Sequence, residues 1–347
     1  MQTKTQPNGA AQSRYRTCCL VASVLGTQVM GRPFLLALFA LAGSLFAGLA
    51  EPLPAEESAQ PFQEWQILEV QASRPISFKD LLADLATADV IYIGEEHSNR
   101  SHIEAALRIL QALVDRNRKP ALGLEMFGWD GQAGLDHYLA EPDMATDQFL
   151  QKAHWKENWG GAYNDYAPLI DFARSHHLPV LALNPPKSLV RLVAKEGFLR
   201  ALKDPEMLRW QMRDEVLSDE PAYREVMVSQ LRACHSGLSE EAYQRMYEAA
   251  MFRDEGMAKI ISERLIHRAA DVGPVVSYTG AGHIQYRLPV PNRVLRRLNG
   301  AIRQRTVYLT SYEPRREDEI RTLLQQSIAD YVWLTPLSAH GTPRRCL

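Results

Sequence analysis

Two copies of a short histidine pattern are the part of this sequence best suited to chemistry. The copies are Gly94–His97 and Gly280–His283, and each follows a short apolar run, Val90–Ile93 or Val275–Tyr278. Glycine lets the backbone turn sharply and approach a ligand closely, and a neutral imidazole offers a ring nitrogen to a metal. Ligands of open α/β sheets bind beyond the carboxyl ends of the strands. The pattern therefore predicts a site where His97 and His283 meet at one edge of a sheet.

Acidic residues accompany the two histidines. Glu125 lies near the end of an otherwise apolar run, where a carboxylate is costly unless it is paired or bound to a metal. Its alternative partner is a buried arginine such as Arg253. Glu95 and Glu96 are adjacent, so in a strand their side chains point in opposite directions. We expect one of them to face the site and the other to face solvent.

This combination of side chains favours metal chemistry. His97, Glu125 and His283 are the candidate ligands, and histidine with glutamate suits a divalent ion such as zinc, manganese or cobalt. A carboxylate left over from coordination, Glu95 or Glu125, can act as general base toward metal-bound water.

An aromatic cluster gives a different possibility. Trp155, Trp159, Tyr163 and Tyr166 flank a pair of glycines, and the cluster either packs in the core or forms the wall of a pocket for a flat macrocycle. Because tyrosine can be an axial haem ligand, Tyr163 and Tyr166 are the candidate cofactor-binding residues. The sequence has no Gly-x-Ser-x-Gly elbow, Walker A loop, dinucleotide-binding fingerprint or Cys-x-x-Cys-His haem attachment.

The elements that must position these residues alternate between strands and helices. This pattern predicts an α/β fold with a mainly parallel central sheet flanked by helices. Ser77 is the expected N-cap of the first helix, and Ser101 with Glu104 the expected capping box of the second. Residues 187–270 have a helical pattern and are expected to form an inserted cap. Besides the two runs that precede the histidine patterns, the predicted strands are Trp65–Val70, Ala121–Met126, Pro179–Leu183, Thr306–Thr310 and Tyr331–Thr335.

The first fifty residues have the organisation of a signal peptide. Arg32 precedes the uncharged apolar run 34–50, which ends in small residues suited to cleavage. An uncleaved anchor is the alternative, although the run is short for a membrane span. Residues 1–29 are either an over-extended start or a long basic region. We expect a linker at 51–64, the main α/β domain at 65–310, and a C-terminal extension with a last strand at 311–347.

Composition bounds the function classes. The chain has 347 residues, 46% hydrophobic and 23% charged, which is an ordinary globular composition. Residues 1–50 hold four basic and no acidic residues, so the remainder carries a net charge of about −6. An acidic exported protein is a poor candidate for nucleic-acid binding. Cys234 and Cys346 are the cysteines outside the leader and are able to pair, whereas Cys18 and Cys19 precede the apolar run and give no lipobox.

Several motifs, in this order, resemble one known family. They are Ile91–His97, Leu124–Met126, the stretch from Trp159 to Tyr166 leading to Leu183-Asn184, Arg253-Asp254 with Met257-Ala258, and Gly280–His283 followed by Pro289–Pro291. Over residues 65 to 300 the chain is similar to the ChaN-like haem-binding uptake proteins of the Tiki/TraB superfamily.

The resemblance implies an α/β domain with a helical cap. It also implies either haem binding at a dimer interface, linked to iron acquisition, or a metal-dependent hydrolase site. Carried over from the Tiki branch, the metal-binding and catalytic residues are His97, His283, Glu125 and Glu95. The residues expected to support the site are Gly94, Glu96, Asn184, Arg253, Asp254 and Gly280. Many members are outer-membrane lipoproteins, but the missing lipobox argues against a lipid anchor here.

These observations lead to two hypotheses. The first is an exported, periplasmic or membrane-associated protein that binds haem or iron for uptake, with a homodimer and peripheral membrane contact as expected associations. The second is a divalent-metal hydrolase, in particular a peptidase, that uses the same site.

Overall fold

The structure is a computed structural model that describes residues 61–268, 273–339 and 341. The predicted leader and most of the predicted linker lie outside these residues, as does Cys346. The signal peptide and its start therefore stay predictions, and the sequence leaves the pairing of Cys234 with Cys346 open.

An eight-stranded sheet runs through the described part of the chain, in the order β2-β1-β8-β7-β3-β6-β4-β5. The strands from β8 to β5 in this order are parallel, whereas β1 pairs antiparallel with both β2 and β8. The strands are β1 (Ile67–Glu69), β2 (Arg74–Ile76), β3 (Val90–Glu95), β4 (Ala121–Gly128), β5 (Val180–Asn184), β6 (Val275–Gly280), β7 (Gln304–Ser311) and β8 (Tyr331–Thr335).

Helices cover both faces of this sheet, which confirms the predicted α/β class. The helices are α1 (Phe78–Leu85), α2 (Arg100–Val114), α3 (Gln132–Ala140), α4 (Thr146–Lys152), α5 (Trp155–Asn158), α6 (Tyr163–Ser175), α7 (Lys187–Glu196), α8 (Phe198–Ala201), α9 (Pro205–Arg209), α10 (Pro221–Cys234), α11 (Glu240–Ile266), α12 (Val290–Arg297) and α13 (Glu317–Gln325). The stretch predicted to be a helical cap contains α7 to α11, and β8 lies between β1 and β7 in the sheet.

The central strands are largely apolar because both of their faces are buried, although polar residues such as Glu95 in β3 and Glu125 in β4 occur among them. In β3, Ile91 and Ile93 join the core cluster that includes residues of α2 and α6. Val90 and Tyr92 join the cluster on the other face, which includes residues of α11 and α12. Because successive side chains of a strand point to opposite faces of the sheet, the same alternation determines which face each following residue of these strands occupies.

The start of α2 differs from the prediction. Its N-cap is Asn99, whose side chain accepts a hydrogen bond from the backbone N–H of Ser101. Ser101 lies inside the helix, so the capping box predicted from Ser101 and Glu104 is wrong. Ser77 caps α1 as predicted and accepts from the N–H of Asp80.

Candidate functional site

Alternation places the two key carboxylates on opposite faces of the sheet. Glu95 follows Ile91 and Ile93 on the face that carries α6, where the hydroxyl of Tyr166 donates to it. Glu125 lies one position after Leu124, so it points to the opposite face, where Arg253 of α11 contacts it. The site at the carboxyl edge of the sheet therefore contains one acidic side chain from each face of the sheet.

Glu95 holds His97. The carboxylate is fully buried, and its Oε1 lies 2.8 Å from Nδ1 of His97. Tyr166 donates to Oε1 at 2.9 Å, and Tyr278 of β6 donates to Oε2 at 2.7 Å. The backbone N–H of Ser98 in turn donates to the hydroxyl of Tyr166 at 3.1 Å. Three donors thus fix the carboxylate, which fixes the ring of His97.

Glu125 is the centre of the second half of the site. Its Oε1 accepts from Arg253 at 2.5 Å and lies 3.3 Å from Nε2 of His283. Its Oε2 accepts from the backbone N–H of Gly280 at 2.6 Å. Asn184 links Glu125 to Arg253. Its side-chain amide donates to the backbone carbonyl of Glu125, and its side-chain oxygen accepts from Nε of Arg253. Both carboxylate oxygens therefore have partners.

His283 is held between two acids. Its Nδ1 lies 2.5 Å from Oδ1 of Asp254, and the other oxygen of Asp254 accepts from the hydroxyl of Tyr223 at 2.5 Å. Asp254 lies on α11 and Tyr223 on α10. Helices α10 and α11 therefore determine the orientation of His283.

The electrostatics follow from these contacts. Burial by itself lowers the pKa of His283, but the charges of Glu125 and Asp254 outweigh it and raise this pKa to about 9. Burial likewise lowers the pKa of His97, and the hydrogen bond and charge of Glu95 more than compensate. Burial raises the pKa of Glu125, but His283 and Arg253 hold it well below its usual range. At neutral pH Glu125 is therefore a carboxylate, and His283 beside it is an imidazolium.

A cavity of about 370 Å³ opens at this edge of the sheet. His97, Glu125 and His283 line it, together with Arg253 and Lys187. Its apolar wall includes Trp159, Pro185, Val190 and Ala281. The ring of His97 meets that of Trp159 edge to face, with the centroids 5.0 Å apart. This volume lies in the range of small-molecule sites.

The glycines of the two histidine patterns are required for close packing. A Cβ at Gly94 would lie 2.7 Å from the side chain of Ile284. A Cβ at Gly280 would lie 2.9 Å from Cε1 of His97 and 3.4 Å from Oε2 of Glu125. Gly280 thus lets β6 approach both halves of the site.

Most of the predicted site residues meet at this cavity or directly behind it, but Glu96 does not. Glu96 points away from the site, as alternation requires, yet it is buried rather than solvated. Its carboxylate accepts hydrogen bonds from Thr310 and Ser311 and lies 3.7 Å from Arg316. The expectation that the second glutamate faces solvent is wrong because β7 and Arg316 cover it.

The two candidate haem-binding tyrosines are not among the cavity-lining residues. Tyr163 packs against Phe149 and Trp155 in the core. Tyr166 is fully buried, and burial together with the charge of Glu95 raises its pKa far above the usual range. It is therefore a neutral phenol that donates to Glu95. A phenolate ligand role has no support in this arrangement.

The predicted metal centre also lacks support. Within the described ranges, no group of three or more His, Cys, Asp or Glu side chains is arranged to hold a metal ion. The reason is visible in the contacts, because His283 and both oxygens of Glu125 already bind protein groups. His97 differs, since its Nε2 has no hydrogen-bond partner among the described residues.

Sequence reasoning missed two functional side chains. Tyr278 was read as part of an apolar strand, although the alternation that places Glu95 also places Tyr278 beside it. Tyr223 lies in the helical stretch 187–270, and no local pattern reveals its bond to Asp254, which lies 31 residues away.

Comparison with known proteins bears on the family and the fold of this chain. A family model described as haem-binding uptake, Tiki superfamily, ChaN matches residues 81–294. The solved structure of ChaN from Campylobacter jejuni, described as showing cofacial heme binding, aligns with a TM-score of 0.60 and 20% identity. That alignment covers 79% of this chain and 98% of the other. At this identity the likeness shows the fold alone.

Two further similarities are more distant. The chain is 23% identical over 289 residues to the protein RETICULATA-RELATED 5, chloroplastic, of Arabidopsis thaliana. It spans 36% of that relative's length. An erythromycin esterase, EreC, in its open conformation aligns with a TM-score of 0.41 and 15% identity, over 72% of this chain and 76% of that one. A likeness this low carries no argument about activity.

The family model covers well over half of the chain and overlaps the whole site from Glu95 to His283. The chain belongs to the ChaN family of haem-binding uptake proteins in the Tiki superfamily.

Proposed function

We propose that this chain is an exported haem-binding protein that serves haem or iron uptake. The observation that carries the proposal is the state of His97 at the cavity. Its Nδ1 is fixed by Glu95, while its Nε2 has no hydrogen-bond partner among the described residues. An imidazole fixed through one nitrogen by a buried carboxylate is the usual arrangement of a histidine that ligates iron through the other.

The residues around the cavity fit a haem group. Trp159, Pro185 and Val190 provide an apolar wall for a flat ring. The side chain of His97 is 28% exposed, so a ligand can reach it from solvent. Haem, when bound, supplies an iron that accepts a nitrogen lone pair. The proposed axial ligand is His97, in place of Tyr163 or Tyr166.

A hemin titration of the full-length chain tests this function. We expect a saturable shift of the Soret band, which His97→Ala abolishes because the iron loses its ligand. The control is His137→Ala, which removes an exposed histidine from α3. The proposal is contradicted if hemin fails to bind, or if His97→Ala binds it as tightly as the parent chain.

Export and assembly are further parts of the proposal. Export rests on the leader pattern of residues 1–50, and cell fractionation that leaves the full-length chain in the cytoplasm would overturn it.

None of the described helices is long and apolar enough to cross a membrane. The cofacial haem of the Campylobacter jejuni protein makes a homodimer the expected assembly. Light scattering with and without hemin measures the mass of the assembly.

One observation favours hydrolysis as a second candidate. Glu95 and His97 form a carboxylate–imidazole pair, the arrangement that prepares a histidine to act as general base. In this reading His97 Nε2 takes a proton from water as the water oxygen attacks a carbonyl, and the His283 imidazolium protonates the leaving group. A peptide and ester screen tests it. Hydrolysis that disappears in His97→Ala supports it, and a haem-binding chain that cleaves nothing argues against it.

A further inference from the structure

Two exposed leucines lie on the outer side of helices α7, α8 and α9. Leu199 of α8 is 79% exposed and Leu208 of α9 is 56% exposed. A single exposed apolar side chain is ordinary on a protein surface. The neighbours of these leucines therefore decide whether this part of the surface has a partner.

The two leucines lie on the same side of the molecule. Ala201 of α8 and Met207 of α9 are buried in one apolar cluster, to which α7 contributes Leu189 and Val193. Helix α8 also packs against α7. The three helices thus cover this cluster from outside, and the exposed leucines of α8 and α9 point away from it. The exposed side of residues 188–213 is called the α7–α9 surface below.

The charge of the α7–α9 surface is opposite to that of the rest of the chain. Residues 188–213 contain six basic and three acidic residues, whereas the chain from residue 51 onward carries a net charge of about −6. The acidic side chains are half-buried and have local partners, since two pair with neighbouring bases and the third caps α9. All six basic residues are exposed. Those that form no ion pair within the described ranges are Arg191, Arg200, Lys203 and Arg213.

An aromatic side chain follows α9 directly. Trp210 is half-buried, with its ring centroid 6.0 Å from that of Trp129 in the same apolar cluster. The guanidinium carbon of Arg209 lies 5.3 Å from the centroid of the Trp210 ring. Tryptophan and arginine, which have an apolar part and a polar end, suit the boundary between a membrane and water. Leucine, tryptophan and several bases together are typical of a surface that lies on a lipid bilayer.

We propose that the α7–α9 surface docks on a membrane of anionic phospholipids. Leu199 and Leu208 insert among the lipid head groups, and the surrounding bases bind the phosphates. The charge favours this occupant over a second copy of the chain, because a symmetric contact would bring two positive surfaces together. The inference goes beyond haem binding and does not require it. Since α7 also lines the cavity through Val190, docking would bring the cavity near the membrane.

Amide hydrogen exchange of the full-length chain, without hemin, tests this docking. The chain is mixed with vesicles of phosphatidylcholine alone, or of phosphatidylcholine with phosphatidylglycerol, at low and at high salt. The readout is local because the apolar run 34–50 can attach the chain to vesicles by itself. We expect the amides of α8 and α9 to exchange more slowly with the anionic vesicles alone, and high salt to remove this protection.

Two variants of the α7–α9 surface separate its charge from its apolar part. The vesicle concentration that gives half of the protection measures the affinity. We expect Arg200→Glu combined with Lys203→Glu to raise it by about ten-fold or more, because two favourable charges become repulsive. Leu199→Ser should raise it by about ten-fold, which corresponds to the loss of one buried leucine.

Matched controls lie elsewhere on the molecule. Lys79→Glu combined with Arg116→Glu reverses two exposed charges, one on α1 and one just after α2. Ile266→Ser replaces an apolar side chain that is 62% exposed at the end of α11. Both controls should keep the affinity of the parent chain.

Protection of α8 and α9 that needs phosphatidylglycerol and is weakened by both surface variants supports the proposal. It is overturned if these helices gain no protection, if both kinds of vesicle protect them equally, or if the surface variants behave like the controls. Protection that appears without vesicles as the protein concentration rises, and that Leu199→Ser removes, would identify a second copy as the occupant and would also overturn it.

Discussion

Glu95 is a buried acid whose hydrogen bonds are fully used. It interacts with Nδ1 of His97 and accepts from the hydroxyls of Tyr166 and Tyr278, and none of these contacts is available to water. A buried carboxylate that loses a donor keeps its desolvation penalty without compensation. The orientation of His97 and the stability of the fold therefore depend on the same tyrosines.

Tyr166→Phe removes one of these donors. We expect the free energy of unfolding to fall by about 1–3 kcal/mol, because a buried charged group loses a hydrogen bond, and hemin binding to weaken as His97 loses its fixed orientation. Urea denaturation measures the first effect and a Soret titration the second. Tyr163→Phe is the control on the same helix, since its hydroxyl does not bond to Glu95. Equal losses in both variants would contradict this role.

Among the elements, strand β6 ends at Gly280, where its backbone lies close to the side chains of His97 and Glu125. Gly280 has φ of −54°, which alanine adopts readily, so the effect of Gly280→Ala comes from contact alone. The new methyl group would collide with His97 and approach Glu125. Within the same turn, a Cβ at Gly282 would meet nothing within 4 Å.

Gly280→Ala is therefore expected to weaken hemin binding by about ten-fold or more, in line with the 1–3 kcal/mol typical of forced overpacking. Gly282→Ala, at a lining position where the new Cβ meets no protein atom within 4 Å, should weaken hemin binding less than Gly280→Ala. Soret titrations of the two variants make the comparison. Identical affinities would show that β6 does not constrain the site.

The first turn of α2 contains a buried histidine with a pH effect of predictable sign. His102 accepts from the backbone N–H of Glu96, and burial lowers its pKa to about 4. In the unfolded chain its pKa is about 6.5. The unfolded state therefore binds more protons between these two values, and the free energy of unfolding falls as the pH drops through this window.

His102→Gln removes the titrating group and leaves an amide oxygen that can accept the same hydrogen bond. The variant should lose about 3 kcal/mol less stability than the parent chain between pH 6.5 and 4. Urea denaturation at both pH values measures this difference, and His137→Gln at an exposed position is the control. An unchanged pH dependence would show that His102 does not stay neutral in the fold.

The same elements show how far the sequence could predict the structure. The central strands were predictable because strands buried on both faces contain runs of apolar residues, as at Val90–Ile93 of β3 and Val275–Val276 of β6. Strand β2 was missed because Arg74–Ile76 is a three-residue edge strand without an apolar run. His97, Glu125 and His283 were predictable as one site because parallel strands end at one edge. The burial of Glu96 was not, since Thr310 lies 214 residues away.

In the molecule as a whole, an ionic cluster joins α11 to α12 on one face of the sheet. Glu255 of α11 is fully buried and contacts Arg293, Arg296 and Arg297 of α12. Asp254, the neighbouring residue, bonds to His283 at the site. The position of α11 therefore affects its packing against α12 and the orientation of His283 at the cavity.

Glu255→Ala leaves the buried Arg293 without its carboxylate, so the free energy of unfolding should fall by about 3–5 kcal/mol. Glu263→Ala on the same helix breaks an ion pair whose acidic side chain is 45% exposed, and the expected loss is at most about 1 kcal/mol. Equilibrium urea denaturation compares the two. Similar losses in the free energy of unfolding for the two variants would mean that the cluster does not hold α11 against α12.

The central claim is that haem iron binds to His97 in the cavity at the carboxyl edge of the sheet. The most direct measurement is a crystal structure of the full-length chain with hemin, in which anomalous scattering locates the iron. The account predicts one iron bonded to Nε2 of His97, with the ring against the wall that includes Trp159. Iron held by another residue, or haem bound outside this cavity, would contradict it.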